Sequence, residues 1–181
     1  MAAFISPDFY LHLAKFMKPP SIPLEKITAL TPIYRFTVPS DYEDRNGHMN
    51  VRWYLHIFDD AGDVLVEQFG ITPEFHRQNG TGGFDLEHHL HYLKEVHIGD
   101  TVVVYARMIG RSAKRIHYVL LMVNETRETL AAIQEVVNSF ADMKIRRTAS
   151  YPDEVAMKID AMLTQHQALD WESPISGVMH A

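Results

Sequence analysis

The chain divides by the period of its apolar positions. Tyr34, Phe36 and Val38 alternate with Arg35 and Thr37, the pattern of a half-buried strand, and Pro39 ends it. From Val51 to about Phe69 the period becomes helical. Trp53, Tyr54, Ile57, Ala61, Val64 and Leu65 share a broad face, and Asp59 and Asp63 lie opposite as a polar face. Leu55, Phe58 and Val66 add apolar surface elsewhere, so an enclosed helix is expected, stopped by Gly70 with Pro73 beyond. QNGTGG reads as a turn. Four strand-like segments follow, Phe84–Glu95, Thr101–Ile109, Ile116–Val123 and Leu130–Ile145, joined by short turns that favour antiparallel pairing. Strand, long helix and four strands predict an α+β fold, an antiparallel sheet curling around one long helix.

The ends read as additions to this unit. Ser6 and Pro7 open a helix with Phe9, Leu13 and Phe16 on one face, Lys18-Pro19-Pro20 stops it, and SIPLEKI is a linker. A second helix starts near Ser150-Tyr151-Pro152, with Val155, Ile159, Met162 and Leu163 on one face, followed by a tail. The expected division is an extension over residues 1–30, a core domain over 31–148 and a C-terminal helix and tail over 149–181.

Composition narrows the function classes. With 17 Lys+Arg against 23 Asp+Glu, the net charge of -6 argues against nucleic acid or an anionic membrane as the main partner. The absence of cysteine in 181 residues excludes disulfides, thiolate metal sites and a cysteine nucleophile. The start MAAFISPDFYLHL has no basic region before its apolar residues, and no apolar run approaches a bilayer span, so a cytoplasmic location is expected.

The segment richest in chemistry is Asp44-Arg45-Asn46-Gly47-His48-Met49-Asn50, just before the long helix. A carboxylate, a carboxamide and an imidazole lie within five residues, at a helix start whose free N–H groups favour negative charge. The same residues also serve as a helix cap and a turn, and these mechanics alone favour that use.

D-R-N-G-H-M-N, followed by Val51, Tyr54 and FDDAGDVLVEQFG, resembles the hotdog-fold acyl thioesterases: the D-x-N-x-H-x-N element of the acyl-ACP branch and, more closely, small bacterial acyl-CoA thioesterases with N-G-H-M-N. The likeness runs through Tyr92-Leu93-Lys94-Glu95 and Gly99-Asp100, over about residues 31–148. It implies a hotdog fold and acyl-CoA hydrolysis in a homodimer or larger assembly, without cofactor or metal. It also implies a site of Asp44, Asn46, His48 and Glu95. Backbone N–H groups near Met49 and Asn50 would hold the oxyanion, and Glu95 or Asp44 would activate water or attack directly. Other branches carry the working aspartate two residues earlier, at Tyr42 here, flanked by Asp41 and Glu43. A third uses a carboxylate within the central helix, for which Asp59 or Asp60 are the candidates.

Other clusters carry weaker expectations. Arg111, Lys114 and Arg115 flank a turn and could meet coenzyme A phosphates, although a solvated turn is commoner. Glu87, His89 and His91 share the odd face of one strand with Glu95, and a polar face is the better reading than a metal site. Two alternatives stand beside hydrolysis: a hotdog dehydratase or hydratase, and a non-catalytic acyl-thioester-binding module. The acidic charge argues mildly against an acidic carrier protein as acyl donor.

Overall fold

The computed structural model describes residues 22–181, so the helix expected around Phe9, Leu13 and Phe16 lies outside the described residues. In chain order the elements are α1 (Leu24–Thr28), β1 (Pro32–Thr37), a single 3-10 turn (Ser40–Tyr42), α2 (Val51–Gln68), α3 (Pro73–Asn79), β2 (Thr81–Tyr92), β3 (Thr101–Arg111), β4 (Arg115–Asn124), β5 (Thr129–Asp142), β6 (Arg147–Thr148) and α4 (Asp153–Gln167). The sheet runs β1-β3-β4-β5-β2 with β6 beside β5, and every pair is antiparallel. A curled antiparallel sheet on one long helix is the α+β hotdog arrangement that the sequence predicts.

The inner face of the sheet holds Val104, Ala106, Ile116, Leu120, Met122 and Ala132. These pack with Tyr54, Ile57, Phe58, Ala61 and Leu65 of α2. The helix packs chiefly against β1, β3 and β4. It is less enclosed than expected, since Leu55 faces solvent.

The central strands are apolar on both faces because the outer face is covered too. Val103, Tyr105, Val119, Leu121 and Ile133 lie under Ile27 and Leu30 from the N-terminal side and Leu169 and Trp171 from the C-terminal side. SIPLEKI is therefore not a plain linker: Leu24–Thr28 is helical and Ile27 is fully buried. Burial of such a side chain contributes about 1.5–3 kcal/mol. The expected tail is likewise tied down. Arg107 stacks 4.0 Å above the Trp171 ring, and the Ser176 N–H donates to Glu135 at 2.7 Å.

Two boundaries differ from expectation. Pro73 opens α3 rather than closing α2, because the Thr72 hydroxyl caps it by accepting from the Phe75 N–H at 3.1 Å. Only Gly80 of QNGTGG makes the turn, in the left-handed region at φ +66°, and the chain enters β2 at Thr81. No helix among the described residues is long and apolar enough to cross a membrane.

The turn before β3 is braced by buried Asp100. Its carboxylate accepts from the His97 N–H at 2.9 Å, Asn124 Nδ2 at 2.7 Å and Arg127 Nε at 2.7 Å. Burial pushes this carboxyl upward, but the three hydrogen bonds and the Arg127 charge outweigh it and hold it below the usual aspartate value. A depressed folded pKa gives stability that is complete above the unfolded value and is lost as pH falls through the folded one. Asp100→Asn is therefore expected to cost about 1–3 kcal/mol near neutral pH. In denaturant titrations the gap from the parent should narrow as pH drops below about 3.9. A gap that does not change with pH would remove the carboxylate from this role.

Candidate active site

The loop before α2 folds back on itself. The Gly47 N–H donates to the Asp44 carbonyl at 3.1 Å and the Asp44 N–H to the His48 carbonyl at 2.9 Å. Gly47, at φ +81°, supplies the left-handed residue that this reversal needs. The Asn46 N–H reaches Asp44 Oδ1 at 2.7 Å, and Asn46 Nδ2 reaches Oδ2 at 3.3 Å. Burial alone would raise the Asp44 pKa, but these bonds and the adjacent His48 hold it below its usual value. The loop thus sets His48 Nδ1 3.7 Å from Asp44.

Glu95 arrives from the other side. β2 ends at Tyr92, and the Leu93 and Lys94 N–H groups both turn to the Ala131 carbonyl. Glu95 therefore lies past the strand, away from the odd-face row expected for it. Its carboxylate stands 3.9 Å from His48 Nε2 and 3.7 Å from His97 Nε2. Asp44, Asn46, His48 and Glu95 are thus brought together, with Asp44, His48 and Glu95 lining a cavity of about 340 Å³ beside the start of α2. An imidazole between two carboxylates can relay a proton between them and a bound water.

The oxyanion donors expected at Met49 and Asn50 are already taken. The Met49 N–H donates to the Val96 carbonyl at 2.7 Å and the Asn50 N–H to the Tyr42 carbonyl at 2.9 Å. The Asn50 side chain caps α2, accepting from the Arg52 N–H at 3.1 Å. The Val51 N–H, at the helix start, has no partner among the described residues, and Val51 lines the same cavity. Tyr42, where another branch would carry aspartate, is a buried ring stacked 3.8 Å from that of Trp53.

The basic trio sits elsewhere. β5 carries Ala132 opposite Tyr92 and Ser139 opposite Arg115. That separation along the strand is roughly 23 Å, at about 3.3 Å per residue. Arg111 is also held by Asp160 of α4 through a paired guanidinium–carboxylate contact. Within this chain these cations do not reach the cavity at Asp44. His89 and His91 have ring centroids 4.4 Å apart, and no group of three or more potential ligands is placed to hold a metal among the described residues.

Two features escaped the sequence reading. Tyr54, expected only as core, bridges α2 to the Glu95 loop: its hydroxyl donates to the Lys94 carbonyl at 3.3 Å and accepts from the Val96 N–H at 3.2 Å. A second cavity, about 450 Å³, opens between α2, β2 and β5. Asp59 and Asp63, expected as a solvated face, line it. The signal available in sequence was a Gly62 between two aspartates one turn apart.

The Tyr54 bridge yields a direct test. Tyr54→Phe leaves a buried N–H and a carbonyl without their partner, an expected cost of about 1–3 kcal/mol. Urea unfolding measures it, and a change within about 0.3 kcal/mol would show the bridge to be dispensable.

Comparison with known proteins places the chain. The thioesterase-like superfamily matches residues 38–159. A betainyl-CoA thioesterase of Pseudomonas aeruginosa is 29% identical over 136 residues, covering 75% of this chain and 86% of the relative. An L-carnitine dehydrogenase/betainyl-CoA thioesterase of Agrobacterium fabrum is 29% identical over 130 residues, covering 72% of this chain but 26% of that longer protein. A Staphylococcus aureus protein solved in complex with CoA superposes with a TM-score of 0.75 at 25% identity, over 84% of this chain and 95% of that one. A 1,4-dihydroxy-2-naphthoyl-CoA thioesterase from Synechocystis gives a TM-score of 0.63 at 15% identity, over 70% and 93% of the two chains, a likeness of fold alone. With the family match spanning the loop, the long helix, strands β2 to β6 and the start of α4, this chain belongs to the thioesterase-like superfamily.

Proposed function

We propose that this thioester hydrolase cleaves acyl-CoA thioesters in the cavity at the start of α2. The observation that carries this reading is His48 held between Asp44 and Glu95 beside the free Val51 N–H. Asp44 is engaged by Asn46 and lies 3.7 Å from His48 Nδ1, whose hydrogen-bond partner, the Met49 carbonyl at 3.3 Å, orients the imidazole. Glu95 is the more exposed of the two carboxylates and is the one assigned to water.

In the first step the water oxygen bonds to the thioester carbon and its proton passes to Glu95, directly or through His48. The carbonyl electron pair moves onto oxygen, where the Val51 N–H at the positive end of α2 stabilises it. Collapse re-forms the carbonyl, breaks the carbon–sulfur bond and expels the coenzyme A thiolate, which takes up the proton. Thiolate is a good leaving group, so His48 and the two carboxylates suffice for the chemistry. The relatives named for betainyl-CoA put that thioester first among the acyl groups to try.

The reading includes a homodimer. Among the described residues β2 is an edge strand paired only with β5, and it exposes Phe84, Leu86 and Tyr92. Such an edge is a natural seat for a second copy. A two-fold pairing there would carry the Arg111–Arg115 end of one protomer toward the Asp44 cavity of the other.

The test is free-thiol release from short, long, branched, aromatic and charged acyl-CoAs, with Asp44→Ala and Glu95→Ala beside the parent. Turnover on some member should fall by about 10²–10⁴ in each variant. Unchanged turnover in both would move the site to Asp41, Asp59 or Asp60. No release from any thioester by the folded protein would favour the binding module.

A further inference from the structure

The cavity at Asp44 does not end at Glu95. A further groove of about 390 Å³ is lined by Leu93, Lys94, Glu95, His97, Arg127 and Thr129, and it shares Leu93, Lys94 and Glu95 with that cavity. The two therefore meet along the segment that follows β2.

The charge of this groove runs against that of the chain. The protein has a net charge of -6, yet here Lys94, Arg127 and His97 face a single lining carboxylate, Glu95. Lys94 is tied down through its backbone. Its N–H donates to the Ala131 carbonyl and its carbonyl accepts from the Tyr54 hydroxyl, while Nζ has no hydrogen bond or ion pair among the described residues.

Arg127 is held in place from below. Its N–H donates to Asn124 Oδ1 at 3.1 Å and its Nε to Asp100 Oδ2 at 2.7 Å. Asn124 and Asp100 are buried and bonded to each other. Backbone and side chain of this turn residue are thus both fixed, and the two Nη groups have no hydrogen-bond partner among the described residues. A guanidinium gripped by one edge, with its other donors free, suits a phosphate, which accepts such donors in pairs. Ordering it beforehand lowers the cost of binding.

The spacing fits the carrier half of an acyl-CoA. The His97 N–H and Arg127 Nε bond the same Asp100 oxygen, at 2.9 and 2.7 Å, so those two nitrogens are no farther apart than the two bonds laid end to end. His97 is two residues from Glu95, at most roughly 7 Å between Cα atoms. Between its sulfur and the diphosphate, the pantetheine arm has the length of about four residues of extended chain, roughly 14 Å. From a carbonyl at Val51 and Glu95, an arm of that length laid along Leu93 and Lys94 brings the diphosphate to Arg127.

We propose that this groove holds the diphosphate of coenzyme A, with the Arg127 guanidinium and Lys94 Nζ as its ligands. The inference rests on acyl-CoA as the substrate of the Asp44 cavity, and it gives the diphosphate to the same chain that carries His48 and Glu95.

Calorimetry with free CoA, phosphopantetheine and pantetheine reads the groove without any thioester. In the parent, phosphopantetheine should bind about tenfold more tightly than pantetheine, from which it differs by one phosphate. Lys94→Ala and Arg127→Ala should each weaken CoA by about threefold or more. Together they should bring the phosphopantetheine preference to within about threefold of unity. Added salt should weaken CoA more steeply in the parent than in the combined variant. If Arg127→Ala does not fold, Lys94→Glu carries the test, since the Lys94 side chain bonds to nothing among the described residues. No phosphate preference in the parent, or CoA affinity unchanged by both substitutions, overturns the proposal. CoA binding lost instead on Arg111→Ala with Lys114→Ala and Arg115→Ala would give the diphosphate to that trio and overturn it too. If the parent shows the expected binding pattern but cleaves no acyl-CoA, the hydrolase reading fails and the phosphate site stands.

Discussion

The site depends on two backbone ties at the first residues before α2. The Met49 N–H bonds to the Val96 carbonyl, and the Asn50 N–H bonds to the Tyr42 carbonyl. These bonds clamp the helix start between the loop that carries Asp44 and His48 and the segment that carries Glu95. They also decide which N–H is left over. With Met49 and Asn50 engaged and Arg52 capped by the Asn50 side chain, the Val51 N–H is the first of α2 without a hydrogen-bond partner among the described residues, and Val51 lines the cavity. Tyr54, one turn further on, repeats the tie from its side chain. The loop and helix start are thereby held against the distant Glu95–Val96 segment at one point, as a preorganised site requires.

The same placement of α2 creates two environments along its length. At its start, an imidazole and two carboxylates stand within ion-pair distance of one another. About two to three turns later, Asp59 and Asp63 border a trough floored by buried Gln134 and Tyr118. The outer face of the sheet, covered by α1 and the segment around Trp171, leaves the inner trough and the β2 edge as the working surfaces.

Much of this was legible in sequence because it depends on local period. The strand at Tyr34–Val38, the helix from Val51 and the Val-rich strand from Thr101 stand where their patterns place them. Asp44, Asn46 and His48 could be read together because one tight loop contains them. Glu95 joined them by resemblance, and its place beyond the strand depends on β2 ending at Tyr92, which no alternation of side chains announces. The long-range pairings were hidden. Nothing at Met49 or Asn50 points to Val96 or Tyr42 as acceptors, and nothing at Arg111 points to Asp160. Asp59 and Asp63 looked like a solvated face because charge opposite an apolar stripe usually is one. Only the off-centre seat of α2 turns that face toward a cavity. Ile27 and Trp171 were read as linker and tail for a similar reason: short segments show no period, and their burial comes from a sheet face formed by residues far away.

The proposed mechanism seats the thioester carbonyl at the start of α2, between Glu95 and the Val51 N–H. A crystal structure of the Glu95→Ala protein bound to an intact acyl-CoA tests this placement most directly. The expected result is a carbonyl oxygen at about 2.7–3.2 Å from the Val51 nitrogen, with His48 beside the sulfur or the attacking water. A carbonyl bound away from Val51, with Asp44 and His48 out of reach of the thioester, would contradict it.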